Sequence, residues 1–171
     1  MRRPSRTAPG RLLAAERQGT HTPTVLVYFH RPVRLVNAHA DAGPSAQSRL
    51  ARQITEIELL AVDPDAQHTG LGTVLLRAAE QAARDNGAQV LLAKVAKNDF
   101  PVLRWWRHRG YTLAQPGQEV RLALGWATVG CDDGGTGHRI AVAPAHLDGR
   151  VQDTRSCLRV TAPPATMGSR P

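Results

Sequence analysis

Only two cysteines occur in the chain, Cys131 and Cys157, and both fall in a late, irregular stretch. They form no Cys-x-x-Cys pair, so neither a metal site nor a disulfide framework is expected. The histidines are scattered without His-x-x-x-His spacing, which again speaks against a metal. Lysine is as scarce as cysteine: Lys94 and Lys97 are the only two, and every other basic residue is Arg. That bias fits codon composition as readily as phosphate contacts. Aromatic residues make up 4%. They are not interleaved with the arginines as base-stacking platforms would be. No apolar run approaches the length that spans a bilayer. The basic start, Met1 to Arg17, has the charge of a targeting n-region. Its apolar part, Leu12-Leu13-Ala14-Ala15, is too short for an h-region, so a cytoplasmic protein is expected.

What is present suits one globular domain: 171 residues, of which 42% are hydrophobic. The net charge of +8 invites a nucleic-acid reading. Its distribution argues otherwise. Residues 1–53 carry nine basic and two acidic side chains (+7), residues 54–126 eight of each, and residues 127–171 five and four (+1). The excess belongs to the N-terminal segment, and nucleic acid ranks last among the partners considered.

Three segments follow from composition and periodicity. Residues 1–23, rich in Arg, Pro, Thr and Gly, read as mostly disordered, with a short helix possible at Leu12–Arg17. Residues 24–126 form the domain. It opens with a β-branched strand at Thr24–His30, a second strand at Val33–Ala38 and a loop at Ala40–Ser48. Ile54–Val62 alternates and then turns continuously apolar, as a strand does on becoming buried on both faces. Asp63-Pro64-Asp65 stops it. Leu71, Leu75, Ala78 and Ala82 then mark the apolar face of a helix over Thr73–Asn86, with Gly87 beyond its end. A buried strand at Gln89–Ala96 precedes a second helix, capped by Asn98 or Asp99 and ending at Gly110. Strands at Tyr111–Leu113 and Val120–Trp126 flank a Pro116-Gly117 turn. Residues 127–171 show no sustained period and read as loops or disorder, with at most a short strand at Arg139–Val142.

The chemistry concentrates between the first buried strand and the helix after it. A helix N-terminus presents unpaired N–H groups and the positive end of a dipole, which suits a pyrophosphate. Gly70 and Gly72 let the backbone approach the phosphates closely, and Gln67 adds a side-chain donor. A Rossmann site would need a third glycine and an acidic residue ending a second strand, and a P-loop needs Gly-Lys-Ser/Thr. None is present.

The run Gln67-His68-Thr69-Gly70-Leu71-Gly72 resembles the Gln/Arg-x-x-Gly-x-Gly/Ala motif of the GNAT N-acetyltransferases. Asn98, followed by Trp106-Arg107-His108-Arg109-Gly110-Tyr111, is similar to that family's Asn…Tyr-x-x-x-Gly-Phe/Tyr motif. Together they cover roughly residues 54–126. The resemblance implies an α/β fold in which a mixed sheet carries helices on both faces and splays open between Ile54–Val62 and Gln89–Ala96. Acetyl-CoA would enter the splay as co-substrate. Leu60, Ala61 and Val62 would pair with its pantetheine arm through their backbone. The N–H groups of Gln67, His68, Thr69, Gly70, Leu71, Gly72 and Thr73 would hold the pyrophosphate, and Asn98 would lie near the cofactor. No metal is implied.

The implied reaction is acetyl transfer to an amine of a small molecule or protein. A lysine-like amine has a pKa of about 10.4 and must lose a proton to attack. Glu56 stands where some family members carry the carboxylate that removes it, and Glu58 lies two residues on. A backbone N–H near Ala61–Val62 would stabilise the developing oxyanion. The family's usual Tyr, four residues before the Gly, protonates the leaving thiolate, but here that position is Trp106, whose indole donates a hydrogen bond and is no useful acid. The family's two helices ahead of its second strand also have no counterpart in the 23 residues before Thr24. Both departures leave a second reading open: a degenerate member that binds acyl-CoA with little or no turnover. The resemblance leaves a homodimer open as well.

Overall fold

The β-branched run forms strand β2 (Pro23–His30), and β2 has a neighbour on its outer edge that composition did not announce. Arg11–Glu16 (RLLAAE) is strand β1, antiparallel to β2 from Arg11 opposite Phe29 to Glu16 opposite Pro23. The helix considered at Leu12–Arg17 is therefore a strand. Leu, Ala and Glu favour helices by only tenths of a kcal/mol each, less than a strand gains from a paired, half-buried position. The computed structural model describes residues 10–16, 23–131 and 137–162. The rest of the segment expected to be disordered, residues 1–9 and 17–22, lies outside these.

Two further expectations give way after β2. Val33–Ala38 is a short helix, α1, entered from Pro32 and anchored by buried Leu35. The expected loop at Ala40–Ser48 is a turn of 3-10 helix followed by helix α2 (Gly43–Gln53), with Pro44 in its first turn and Leu50 buried. No helix precedes β2 among the described residues; this chain places its pair of helices after it.

From there the expected order holds. Strand β3 is Ile54–Val62 and helix α3 is Leu71–Asp85. Strand β4 is Val90–Ala96. Helix α4 is Phe100–His108, its N-terminus capped by the Asp99 carboxylate, which accepts from the Val102 N–H. The buried stripe of α3 is Leu75, Leu76, Ala79 and Ala83, so the true inner face lies one residue round from the expected Leu71–Leu75–Ala78–Ala82 line.

The C-terminal quarter differs most from expectation. It contributes β7 (Thr128–Cys131), β8 (His138–Pro144), β9 (Arg150–Asp153) and β10 (Cys157–Thr161) to the two short strands β5 (Thr112–Leu113) and β6 (Glu119–Ala123). Residues 132–136 and 163–171 of the expected irregular tail lie outside the described set. The main sheet has the order β1-β2-β3-β4-β8-β5, and a second sheet the order β7-β6-β10-β9. The β3–β4 neighbours run parallel and every other pair in the main sheet runs antiparallel. Strand β8 is thus interior to the main sheet, and β5 and β6, expected to be adjacent, belong to different sheets.

The main sheet buries both faces. Helices α3 and α4 cover one, packing Leu75, Leu76, Ala79, Leu103 and Trp106 against Val25, Val27, Ile57, Leu91 and Val95. Leu35, Leu50 and the second sheet cover the other, where Val120, Leu122, Leu158 and Val160 meet Ile54, Val90, Leu92 and Val142. No helix among the described residues is long and apolar enough to cross a membrane.

Candidate active site

Strands β3 and β4 pair only from Ile54 opposite Val90 to Ile57 opposite Ala93, although both run on beyond that point. Each keeps its outer neighbour: β3 stays paired with β2 as far as Val62, and β4 with β8 as far as Ala96. The parting begins at a bulge. Tyr28 and Phe29 of β2 face Leu59 and Ile57 of β3, so Glu58 is an extra residue on β3. A bulge bends and twists its strand, and here it turns β3 away from β4. The result is a cleft of about 690 Å³. Leu60, Val62, Val95 and Ala96 line its strand walls, and the loop before α3 closes one end.

That loop is held from within. The Asp63 carboxylate accepts from the Asp65 N–H, and the Thr69 hydroxyl donates to the Ala66 carbonyl at 2.6 Å. His68 (φ 61°) and Gly70 (φ 88°) are both left-handed, a costly conformation for His68 and an easy one for glycine. Among the described residues, the backbone N–H groups of His68, Thr69, Gly70, Leu71 and Gly72 find no protein acceptor. Five consecutive unsatisfied donors at the start of a 15-residue helix form a ready anion cradle. Gly72 is fixed by space: a Cβ there would come within 3.1 Å of a Val62 methyl and 3.8 Å of the Trp105 ring.

Helix α4 supplies the opposite wall with Val102, Trp105, Trp106 and, at its end, Arg109. The Trp106 ring stands edge-on to Trp105 at 5.3 Å and to Tyr111 at 4.6 Å between centroids. Trp106 is 5% exposed. Its indole N–H has no protein acceptor among the described residues, and no fully buried side-chain polar atom lacks a partner. The N–H therefore opens onto accessible space. Arg109 lies over the Trp105 ring at 4.5 Å and donates to the Thr73 hydroxyl, tying α4 to the first turn of α3. Behind this wall the Tyr111 hydroxyl donates to the Glu80 carboxylate at 3.0 Å. Burial, reinforced by that carboxylate, holds the Tyr111 hydroxyl well above its usual range, and burial also raises Glu80.

Glu56 stands elsewhere. It lies opposite Leu92 and His30 in the sheet and lines a second hollow, of about 660 Å³, between α1, β4 and the second sheet. The adjoining part of this hollow is bounded by Tyr28, His30, Arg34, Glu56, Glu58 and Lys94. Glu58 and Lys94 border the cleft as well, so hollow and cleft meet there. Glu58 is hydrogen-bonded to His30 Nε2 at 2.9 Å.

Of the residues singled out in the sequence, Leu60, Val62, Gln67, His68, Gly70, Leu71, Gly72, Thr73 and Trp106 line the cleft together. Ala61 and Thr69 stand between lining neighbours without lining it themselves, and Asn98 and Glu56 are not on its wall. The Gln67 amide turns back to the Val62 carbonyl at 3.5 Å, a weak bond. The sequence assigns no site role to Arg109, Trp105, Lys94 or Arg34, all of which line the cleft or the hollow. Arg109 had a signal, a cation beside the helix-ending Gly110; Arg34 had none, because its helix was read as a strand.

A model of the acetyltransferase (GNAT) family matches residues 5–111, well over half of the chain. The chain belongs to the GNAT family. Solved structures with this fold include the PaiA N-acetyltransferase of Thermoplasma acidophilum, in complex with coenzyme A. It is 13% identical with a TM-score of 0.53, over 79% of this chain and 60% of that one. A Salmonella typhimurium protein described as an acetyltransferase, solved with its cofactor acetyl-CoA, is 18% identical with a TM-score of 0.50, over 85% and 69%. A GNAT-family protein of Desulfovibrio desulfuricans is 16% identical with a TM-score of 0.50, over 79% and 69%. No curated protein sequence matches the chain. At these identities the likeness concerns the fold alone.

Proposed function

We propose that this GNAT protein is an N-acetyltransferase that moves the acetyl group of acetyl-CoA to an amine. The observation that carries the reading is the row of five unsatisfied N–H groups, His68 to Gly72, at the closed end of a cleft between parted parallel strands. These donors and Arg109 fit the pyrophosphate. The unpaired inner edge of β3 over Leu60–Val62 fits an extended amide-bearing arm, which would add to the sheet as a strand does. The thioester supplies the acetyl group: the amine nitrogen bonds its carbonyl carbon, the carbon–sulfur bond breaks, and CoA leaves as thiolate, which takes its proton from water. Glu56 takes the amine proton from the hollow side, directly or through water. The Trp106 N–H, open to accessible space, hydrogen-bonds the departing sulfur without giving up its proton.

One observation favours a second reading, binding without turnover: an indole sits where the family's acid stands, and it is packed as core. The same experiment separates the two. Acetyl-CoA should raise the melting temperature, because a ligand of the native state alone adds stability with concentration. An amine panel should then release free CoA faster than buffer does. A melting shift with no amine-dependent release supports the second reading, and no shift at saturating acetyl-CoA excludes both.

A further inference from the structure

The hollow beyond the cleft carries both signs of charge, and they are not matched to each other. Glu119 on its rim is neutralised by Arg121 at 2.8 Å. Glu58 has His30. Arg34, Lys94 and Glu56 have no hydrogen-bond or ion-pair partner among the described residues, yet all three line both parts of the hollow. The rest of its floor is apolar, from Leu35, Leu92 and Ile140. Lys94 and Glu56 are partly buried, so water screens them less than it would on an open surface.

We infer that the hollow receives a compact amine bearing a carboxylate, with Arg34 and Lys94 holding the anion and Glu56 beside the amine. The inference rests on the acetyltransferase reading and names the acceptor class for it. A simple amine or polyamine would bring positive charge against Arg34 and Lys94, and against Arg31, which lines the adjoining part of the hollow beside them. A plain acid would leave Glu56 unanswered. A molecule with both groups a few bonds apart satisfies all three side chains, and a guanidinium meets a carboxylate in a two-pronged fit. The volume, about 660 Å³, is that of a small-molecule site. Glu56 shares its part of the hollow with Glu58 and Lys94, which border the cleft as well, so an amine beside Glu56 lies on the side of the hollow that adjoins the cleft.

The test is binding, independent of turnover. The standard amino acids, their methyl esters, the diamine putrescine and O-phosphoethanolamine are titrated into CoA-saturated protein by calorimetry. At least one amino acid should bind, and its methyl ester, in which a neutral ester group replaces the carboxylate, at least tenfold more weakly. Arg34→Met and Lys94→Met should each weaken the acid by about tenfold, as loss of a charge-assisted contact does, and leave the ester unchanged. Equal binding of acid and ester, binding of putrescine or phosphoethanolamine in place of the amino acids, or binding of none overturns the inference. CoA affinity measured in the same samples keeps that failure distinct: a protein that holds CoA but no amino acid loses the acceptor class alone, whereas one that holds no CoA loses the acetyltransferase reading.

Discussion

Single residues carry the proposed site, and each does so through a different force. Gly72 is a matter of space. A glutamate there puts bulk against Val62 and Trp105 and a negative charge among N–H groups that fit phosphates. Gly72→Glu should therefore abolish the acetyl-CoA melting shift, and an unchanged shift would mean that the loop holds no pyrophosphate. Arg109 is a matter of charge and position. Arg109→Ala should weaken acetyl-CoA by about tenfold, the worth of one charge-assisted hydrogen bond, and the loss should shrink in high salt. Glu56→Gln should slow transfer most near neutral pH and least at high pH, where the amine has already lost its proton; equal loss at all pH points to positioning instead. Trp106→Tyr exchanges a hydrogen-bond donor for a group that can also protonate sulfur. A faster single-turnover step is expected, by less than the roughly 100-fold or more that general acids contribute. The site was packed for an indole against Trp105 and Tyr111, and the smaller ring should cost on the order of 1–3 kcal/mol in a melting curve. Lost stability with unchanged transfer would show that position 106 does not face the sulfur.

At the scale of elements, β1 decides what the N-terminal segment is for. Leu13 and Ala15 pack on the α3 core, and β1 covers the outer edge of β2. Deleting residues 1–9 should leave melting temperature and acetyl-CoA binding unchanged. Deleting residues 1–16 bares that edge and should lower the melting temperature and promote association, visible by size exclusion. If both truncations behave alike, β1 contributes nothing to the fold. The same strand shows where the sequence stops being legible. Strand β3, α3, β4 and α4 were readable because their signals are local: a 3.6-residue period, Asp99 as a cap, Gly87 and Gly110 past helix ends. The loop was readable because glycine at Gly70 answers a backbone need. By contrast, RLLAAE at β1 is a strand because it pairs with β2, and RIAVA within β8, expected as at most a short strand, is interior to the main sheet because it pairs with β4, far back along the chain; composition shows neither pairing. Helix α1 hid behind two valines, and α2 behind a Gly-Pro pair read as a loop, although Pro also suits a first helical turn. The lining of the cleft was therefore largely legible in the sequence. The hollow proposed for the acceptor was not, because Arg34 rides on α1 and Gly130 and Cys131 lie at the end of β7.

The whole molecule has two cores, divided by the main sheet, and the two sides of the proposed reaction are divided in the same way. Among the described residues, the core under α3 and α4 contains none beyond Ala145, whereas the opposite core includes Leu158 and Val160 of β10 and Ala162 just after it. Leu76 and Leu158 are both fully buried, one in each core. Truncating either to alanine should cost about 2–5 kcal/mol. The consequences for binding should differ. Leu76 sits on the second turn of α3, and the first turn of that helix presents the N–H groups of the loop. Leu76→Ala lets α3 settle towards the sheet and moves those donors, so acetyl-CoA should bind more weakly even well below the melting temperature. Leu158 reaches the cleft only through the thickness of the sheet. Distant, unshared sites add their effects within a few tenths of a kcal/mol, so Leu158→Ala should change acetyl-CoA affinity by less than about twofold. Calorimetric titration of both variants at one low temperature, beside their melting curves, checks this. Equal weakening in the two would show that the sheet transmits a far-side cavity to the loop, and that the cores are one mechanical unit despite their separate residues.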